Sequence, residues 1–186
     1  MGLNTLGAAH DFLQRSVKPG AFCIDATAGK GRDTALLCRL AGEEGHVLAF
    51  DIQPDAVRQT RLLLEAEGLQ NARVILDSHS NMERYAQAGS VDCIVFNFGR
   101  LPGGDPEIFT KAETSIPAIE AGLRLLKPGG VMSLSIYYGG PNGYGERDAL
   151  LEYLAALDDR KVTVLTAFWS NRPNNPPIPV FLWKHA

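Results

Sequence analysis

Apolar and polar positions follow two rhythms along this chain, short runs suited to strands and longer stretches with helical spacing, and the two take turns. Leu6, Ala9, His10 and Leu13 recur at helical spacing behind Asn4 or Thr5 as a cap, which predicts a first helix. Pro19-Gly20 turns the chain into a short apolar run at 21–24, read as a buried strand. A glycine-rich loop then leads to a helix over 33–40, ended by Ala41-Gly42. A second strand is expected at 46–50, a helix at 54–67 stopped by Gly68, a third strand at 74–76 and a fourth at 91–96. The next helix is expected to start near Thr114 with Pro117 in its first turn, where the missing N–H does no harm. Its apolar stripe is Ile116, Ile119, Leu123 and Leu126, and Lys127-Pro128-Gly129-Gly130 ends it. A fifth strand at 131–138, a helix at 146–157 and strands at 162–168 and 180–184 follow.

Strands alternating with helices predict an α/β fold, a mostly parallel sheet covered on both faces. The last two strands have no helix between them and are expected to pair antiparallel at one edge. No repeat, low-complexity tract or linker interrupts the pattern, so residues 1–186 are expected to form one domain.

Composition narrows the function classes. The chain has 186 residues, 45% hydrophobic and 21% charged, enough to bury a core without disulfides or a structural metal. No apolar stretch approaches the ~20 residues a bilayer helix requires. Eighteen Lys plus Arg against 21 Asp plus Glu leave a net charge of −3. With no run of Lys or Arg, any nucleic-acid contact is expected to be local rather than a broad basic face. Cys23, Cys38 and Cys93 lack CxxC spacing, and Cys23 and Cys93 sit in apolar runs as small hydrophobes. His79 has no second His or Cys at metal-ligand spacing, so no metal site is expected. The N-terminal residues carry neither a secretory nor a myristoylation pattern, and the expected compartment is the cytoplasm.

The chemistry concentrates at the ends of the predicted parallel strands, where open α/β sheets bind ligands. After strand one comes Asp25-Ala26-Thr27-Ala28-Gly29-Lys30-Gly31-Arg32-Asp33-Thr34. It is neither a P-loop nor the dinucleotide GxGxxG, although Gly29 and Gly31 permit close backbone approach. An unpaired Asp25 carboxylate would repel a pyrophosphate and attract an ammonium. S-adenosylmethionine presents an ammonium and no phosphate. Asp51, closing strand two, stands where an acidic side chain takes both ribose hydroxyls. Alternatively, Asp25 caps the loop and Asp51 caps the helix beginning at Pro54. Ser78 and His79, after strand three, stand within reach of an adenine, while Ser80 or Asn81 reads equally well as a helix cap. After strand four, Asn97 interrupts the apolar run Ile94-Val95-Phe96, and Pro102-Gly103-Gly104-Asp105 has ordinary turn chemistry. The Asn97 carbonyl is suited to accept a hydrogen bond from an amine and aim its lone pair at a methyl.

The strings DATAGKGRDT, FDIQPDAV, FNFGRLPGGDPEIFTKAETSIPAIEAGLRLLKPGG and NRPNNPP resemble the putative rRNA methylase family over nearly the whole chain. Its members in Gram-positive bacteria act as tRNA wobble-uridine methyltransferases. The resemblance implies a Rossmann-like class I methyltransferase with seven strands in the order 3-2-1-4-5-7-6. It implies methyl transfer from S-adenosylmethionine to the amine of 5-aminomethyl-2-thiouridine at tRNA position 34. Asp25, Thr27, Gly29, Gly31, Asp33 and Thr34 match the cofactor loop, Asp51 and Gln53 the end of strand two, and Asn97 and Gly99 the methyl-transfer edge. Lys30 joins the cofactor set, although it stands where the family commonly has Asn. Gly140 and Arg172 depart likewise, replacing His and Gln on the substrate side.

The expected tRNA-contacting set is Arg100, Leu101, Gly103, Gly104, Tyr137, Asn171, Arg172, Asn174, Pro176 and Pro177, with Lys111, Tyr138 and Tyr144 at the rims. Asn97, Asp105, Tyr137 or water is expected to receive the proton that the amine sheds. Monomer and homodimer both remain open. The rivals are a small-molecule N- or O-methyltransferase and an NAD-type or non-catalytic nucleotide-binding protein; the second is disfavoured by Asp25 and by the missing GxGxxG.

Overall fold

The computed structural model describes residues 4–105, 107–139 and 143–185. Gly140, the departure noted after the Tyr137-Tyr138 pair, lies outside the described residues. The elements in chain order are α1 (Thr5–Ser16), β1 (Phe22–Asp25), α2 (Arg32–Ala41), β2 (His46–Asp51), α3 (Pro54–Ala66), β3 (Ala72–Leu76) and a 3-10 helix (His79–Arg84). Then follow β4 (Val91–Phe98), α4 (Ala112–Leu125), β5 (Leu126–Ile136), α5 (Gly143–Ala155), β6 (Val162–Thr166) and β7 (Ile178–Lys184).

The strands form one sheet in the order β3-β2-β1-β4-β5-β7-β6, the order that the resemblance implied. β7 runs antiparallel to both β5 and β6, and the other pairings are parallel. Alternation along the strands sends Ile24, Phe50, Ile94, Phe96 and Phe98 to one core, packed by α4, α5 and the 3-10 helix. Cys23, Val47, Cys93 and Val95 face the other core, under α1, α2 and α3. The three cysteines are buried and free.

Several expectations are corrected. Pro117 is the sixth residue of α4 rather than part of its first turn. It withholds the N–H that would have bonded the Glu113 carbonyl, and both residues lie on the exposed side of the helix, where water can serve that carbonyl. Lys127-Pro128-Gly129-Gly130 does not separate helix from strand: β5 already pairs with β4 at Leu126, and the register shifts between Val91 and Cys93 to take up the irregular segment. Lys127 bonds both Asp92 oxygens at 2.9 Å, anchoring that segment. β5 ends at Ile136 and β6 at Thr166, which leaves Tyr137, Tyr138 and Phe168 in the loops at the sheet edge. The cap expected at Ser80 or Asn81 is Ser78, whose side chain accepts from the Ser80 N–H.

Candidate active site

A cavity of about 530 Å³ opens at the carboxyl ends of β1, β2, β3 and β4, a volume ordinary for small-ligand sites. Of the residues expected from the sequence, Thr27, Gly29, Asp51, Gln53, Ser78, His79, Asn97, Gly99, Arg100, Leu101 and Tyr137 line it. Asp25, Lys30, Gly31, Asp33, Thr34, Gly103, Gly104 and Asp105 do not.

The glycine loop owes its shape to two carboxylates. Asp25 is fully buried, and the expectation of an unpaired group facing a ligand is corrected. It accepts from the Thr34 hydroxyl at 2.6 Å and the Thr27 N–H at 3.2 Å, tying the start of α2 to the end of β1. Burial pushes its carboxyl from the ordinary 3.8 up to about 7, and the nearby Asp33 pushes the same way. Asp51 accepts from the Gly29 N–H and the Gln53 N–H, both at 2.9 Å, so it holds the loop over β2. The cap of α3 is Gln53, not Asp51. Burial also raises the Asp51 carboxyl, against the backbone bonds that lower it.

A raised native pKa has a stability signature. The contribution of Asp25 is greatest below its ordinary value of 3.8 and is lost as pH rises toward about 7. Asp25→Asn keeps both contacts, because the Thr34 hydroxyl can accept as well as donate. The variant is expected to show a flatter stability profile between about pH 4 and 7 in denaturant titrations, and an equally steep one would assign the pH dependence to other groups.

Asn97 is placed by strand alternation. It shares a face of β4 with Cys93 and Val95, so its side chain points toward α1 and α2. Its Nδ2 donates to Asp33 Oδ2 at 2.7 Å, and its backbone N–H donates to the Thr27 hydroxyl at 2.7 Å. The other Asp33 oxygen pairs with His10 Nε2 at 2.7 Å. A carboxylate only accepts, so the Asn97 amide must turn its NH2 toward Asp33, and this frees Oδ1 for a ligand. Spacing alone counted His10 in the apolar stripe of α1. The one hint of another role was that a polar ring stood in that stripe. Tyr137 is 41% exposed, and partial burial together with the neighbouring Asp33 raises its phenol above the ordinary value.

The segment after β4 folds back over the cavity. Arg100 and Phe109 form an antiparallel bridge, and the Thr110 N–H donates to the Gly99 carbonyl at 2.9 Å. The Gly99 N–H donates to the Thr110 hydroxyl at 2.6 Å, which in turn donates to the buried Glu146 at 2.8 Å. Gly99 has φ +142°, and a Cβ there would stand 2.7 Å from Tyr137 Cβ, so only glycine fits. Leu101, Pro102, Ile108 and Phe109 give this flap an apolar underside; of these, only Leu101 belongs to the contact set expected from the sequence. Asp105, expected from the sequence as a catalytic candidate, is exposed, does not line the cavity and caps a turn by accepting from the Glu107 N–H at 2.9 Å. Asn171 and Pro177 line neither this cavity nor a second one, which Arg172, Asn174 and Pro176 do line.

The donor set suits an adenosine-bearing ligand without phosphate. Gly29 presents bare backbone at the cavity wall, where a Cβ would meet Leu101 Cδ1 at 3.1 Å. His79 is driven down to about 4 by burial, so its ring is neutral, and its buried Nε2 lacks a protein partner. Such an atom is ready to accept from an exocyclic amine. Among the described residues, no group of three or more His, Cys, Asp or Glu is arranged to hold a metal. No helix among them is long and apolar enough to cross a membrane.

Residues 47–183 match the family described as putative rRNA methylase. The chain belongs to this family. It is 33% identical to the chloroplastic tRNA (mnm(5)s(2)U34)-methyltransferase of Arabidopsis thaliana, over 95% of this chain and 68% of that protein. It superposes on a putative rRNA methylase from Clostridium thermocellum with a TM-score of 0.96 at 40% identity, covering 99% of both chains. A putative methyltransferase from Streptococcus mutans, solved in complex with S-adenosylhomocysteine (SAH), gives 0.90 at 34% identity, again over 99% of each chain. This family member is an S-adenosylmethionine-dependent methyltransferase, and S-adenosylmethionine is its cofactor.

Proposed function

We propose that the protein methylates RNA, and that its acceptor is the primary amine of 5-aminomethyl-2-thiouridine at the wobble position of tRNA. The observation that carries this reading is the Asn97 amide, locked by Asp33 so that Oδ1 is presented as an acceptor at the end of β4. The likeness to the Arabidopsis tRNA methyltransferase supports the choice of nucleoside.

Bound in the cavity, S-adenosylmethionine supplies a methyl group activated by a positive sulfur. Asp51 and Gln53 hold the ribose side, and Ser78 and His79 the adenine side. Gly29 allows close approach of the backbone. Thr27 fixes the Asn97 main chain and Asp33 fixes its amide. Asn97 Oδ1 accepts an N–H from the incoming amine, which points the nitrogen lone pair along the line of transfer. Burial of the amine next to a positive charge lowers its pKa, so its proton leaves to water on entry. Tyr137, kept protonated, borders the acceptor as a phenol donor rather than as a base. Arg100 and Lys111, at the cavity mouth, are placed to meet phosphate.

The test is single-turnover methylation by the purified protein of two tRNAs, one with 5-aminomethyl-2-thiouridine at position 34 and one with unmodified uridine. Mass analysis of the nucleosides is expected to show one methyl gained in the first and none in the second. Transfer to neither, with transfer to a small amine or hydroxyl compound, would overturn the RNA reading.

A further inference from the structure

A second cavity, of about 310 Å³, lies beside the first and is not used by the transfer itself. Tyr137 borders the first cavity and Tyr138 the second, so the segment leaving β5 divides the two. Its walls are Tyr138, Phe168, Trp169, Arg172, Asn174 and Pro176. Phe168 is 64% exposed, a large apolar ring presented to solvent at the cavity edge. The Arg172 guanidinium lies 4.7 Å from the centre of the Trp169 ring. Arg147 stands 4.8 Å from the ring centres of both Tyr138 and Tyr144, behind the opposite wall. Aromatic faces, guanidinium groups and an amide in one recess form the chemistry that holds an unpaired nucleobase next to its phosphate.

Hydrogen bonds brace the recess on two sides. Trp169 Nε1 donates to the Thr5 hydroxyl at 2.9 Å, and that hydroxyl donates to the Pro177 carbonyl at 2.6 Å, clamping the β6–β7 loop to α1. Asn175 Nδ2 donates to Tyr144 Oη at 2.8 Å, clamping the same loop to α5. Asn174 and Asn175 hold left-handed backbone with φ of 65° and 50°, a conformation that most side chains resist. A loop held in this way loses little entropy when a flat ring slides in.

We propose that this second cavity takes the nucleobase adjacent to the target nucleotide, splayed out of the anticodon loop and stacked against Phe168. The proposal rests on the RNA reading above and deepens it, because two neighbouring nucleotides would occupy the two recesses on either side of the Tyr137-Tyr138 segment. The partner is single-stranded RNA with an unstacked base on one side of the methylated uridine.

The test uses a fluorescently labelled anticodon stem-loop carrying 5-aminomethyl-2-thiouridine, and two versions of it abasic at one neighbour or the other. The full-length protein, Phe168→Ala and Asn174→Gly are compared; glycine keeps the left-handed backbone and removes only the amide. Phe168→Ala is expected to weaken binding of the intact stem-loop about tenfold, the scale of one lost base–aromatic stack, with S-adenosylhomocysteine affinity unchanged. One abasic version is expected to bind the wild type about as weakly as the intact stem-loop binds Phe168→Ala, and to lose little more in that variant. Equal affinity of wild type and Phe168→Ala for the intact stem-loop, or abasic losses of the same size in both proteins, would overturn the cavity assignment alone. Weakened binding without methyl transfer would overturn the proposed nucleoside and leave the cavity standing. A wild type that binds no stem-loop would overturn both.

Discussion

Replacing Asn97 with Ala is expected to lower the single-turnover rate of methyl transfer by about a hundredfold or more, the usual cost of one preorganised hydrogen-bond partner. Affinity for S-adenosylhomocysteine should change far less, because the Asn97 backbone N–H, which bonds Thr27, survives the substitution. From the sequence alone Asn97→Asp is the sharper test, since a carboxylate also accepts from the amine but favours its charged, unreactive form. The structure alters that expectation. The new carboxylate would stand where Nδ2 now lies 2.7 Å from Asp33 Oδ2, and two carboxylates at that distance share a proton rather than both ionise. Asn97→Asp is therefore expected to be nearly as slow as Asn97→Ala near neutral pH. Asp33→Asn approaches the same bond from the other side: it leaves the Asn97 amide free to flip, and the rate is expected to fall while KM for cofactor holds. An Asn97→Ala enzyme with near-normal turnover would remove the amide from the reaction.

Gly29→Val is expected to reduce cofactor binding below detection by calorimetry while the protein stays folded. Gly29 has φ +53°, which a β-branched residue adopts only under strain, and its Cβ would enter the gap between the loop and Leu101 of the flap. The nearest obstacle is the end of one flexible side chain, so the structural cost is mainly backbone strain of about 1–3 kcal/mol. For a domain of this size that is a loss of roughly 2–12 °C in Tm. Gly31→Val supplies the contrast. Its φ is +80°, and its Cβ would lie 2.9 Å from Thr60 Cα, a backbone atom of α3 that cannot step aside cheaply. This variant is expected to lose fold rather than ligand, and a larger Tm drop than in Gly29→Val would show it. Normal cofactor affinity in Gly29→Val would mean that the loop does not line the cofactor.

What the sequence determined by itself was the order and type of the elements and the loops in which chemistry gathers. Those signals are local: apolar spacing within one strand or helix, glycines in one turn, and an Asn at 97 where the run Ile94-Val95-Phe96 calls for another apolar residue. Asp51 at the end of β2 was legible for the same reason, whereas Gln53 came only with the family resemblance; one short segment carries both to the cavity.

The state and direction of each polar group was decided only by the tertiary structure. Asp25 reads as an available carboxylate, but neighbouring strands bury it and Thr34 occupies it. Asp105 reads as a candidate acid or base, but its turn faces it outward. His10 reads as one position in an apolar stripe, and becomes the partner of Asp33 only when α1 packs on β5 and β7 and brings the ring beside the start of α2. The second cavity depends on Thr5 meeting Pro177 and Trp169, residues at opposite ends of the chain. Periodicity is set by backbone geometry within a few residues and is written in the sequence. Charge state, amide orientation and cavity shape depend on desolvation and on partners that distant segments bring together, and these exist only once the chain has folded.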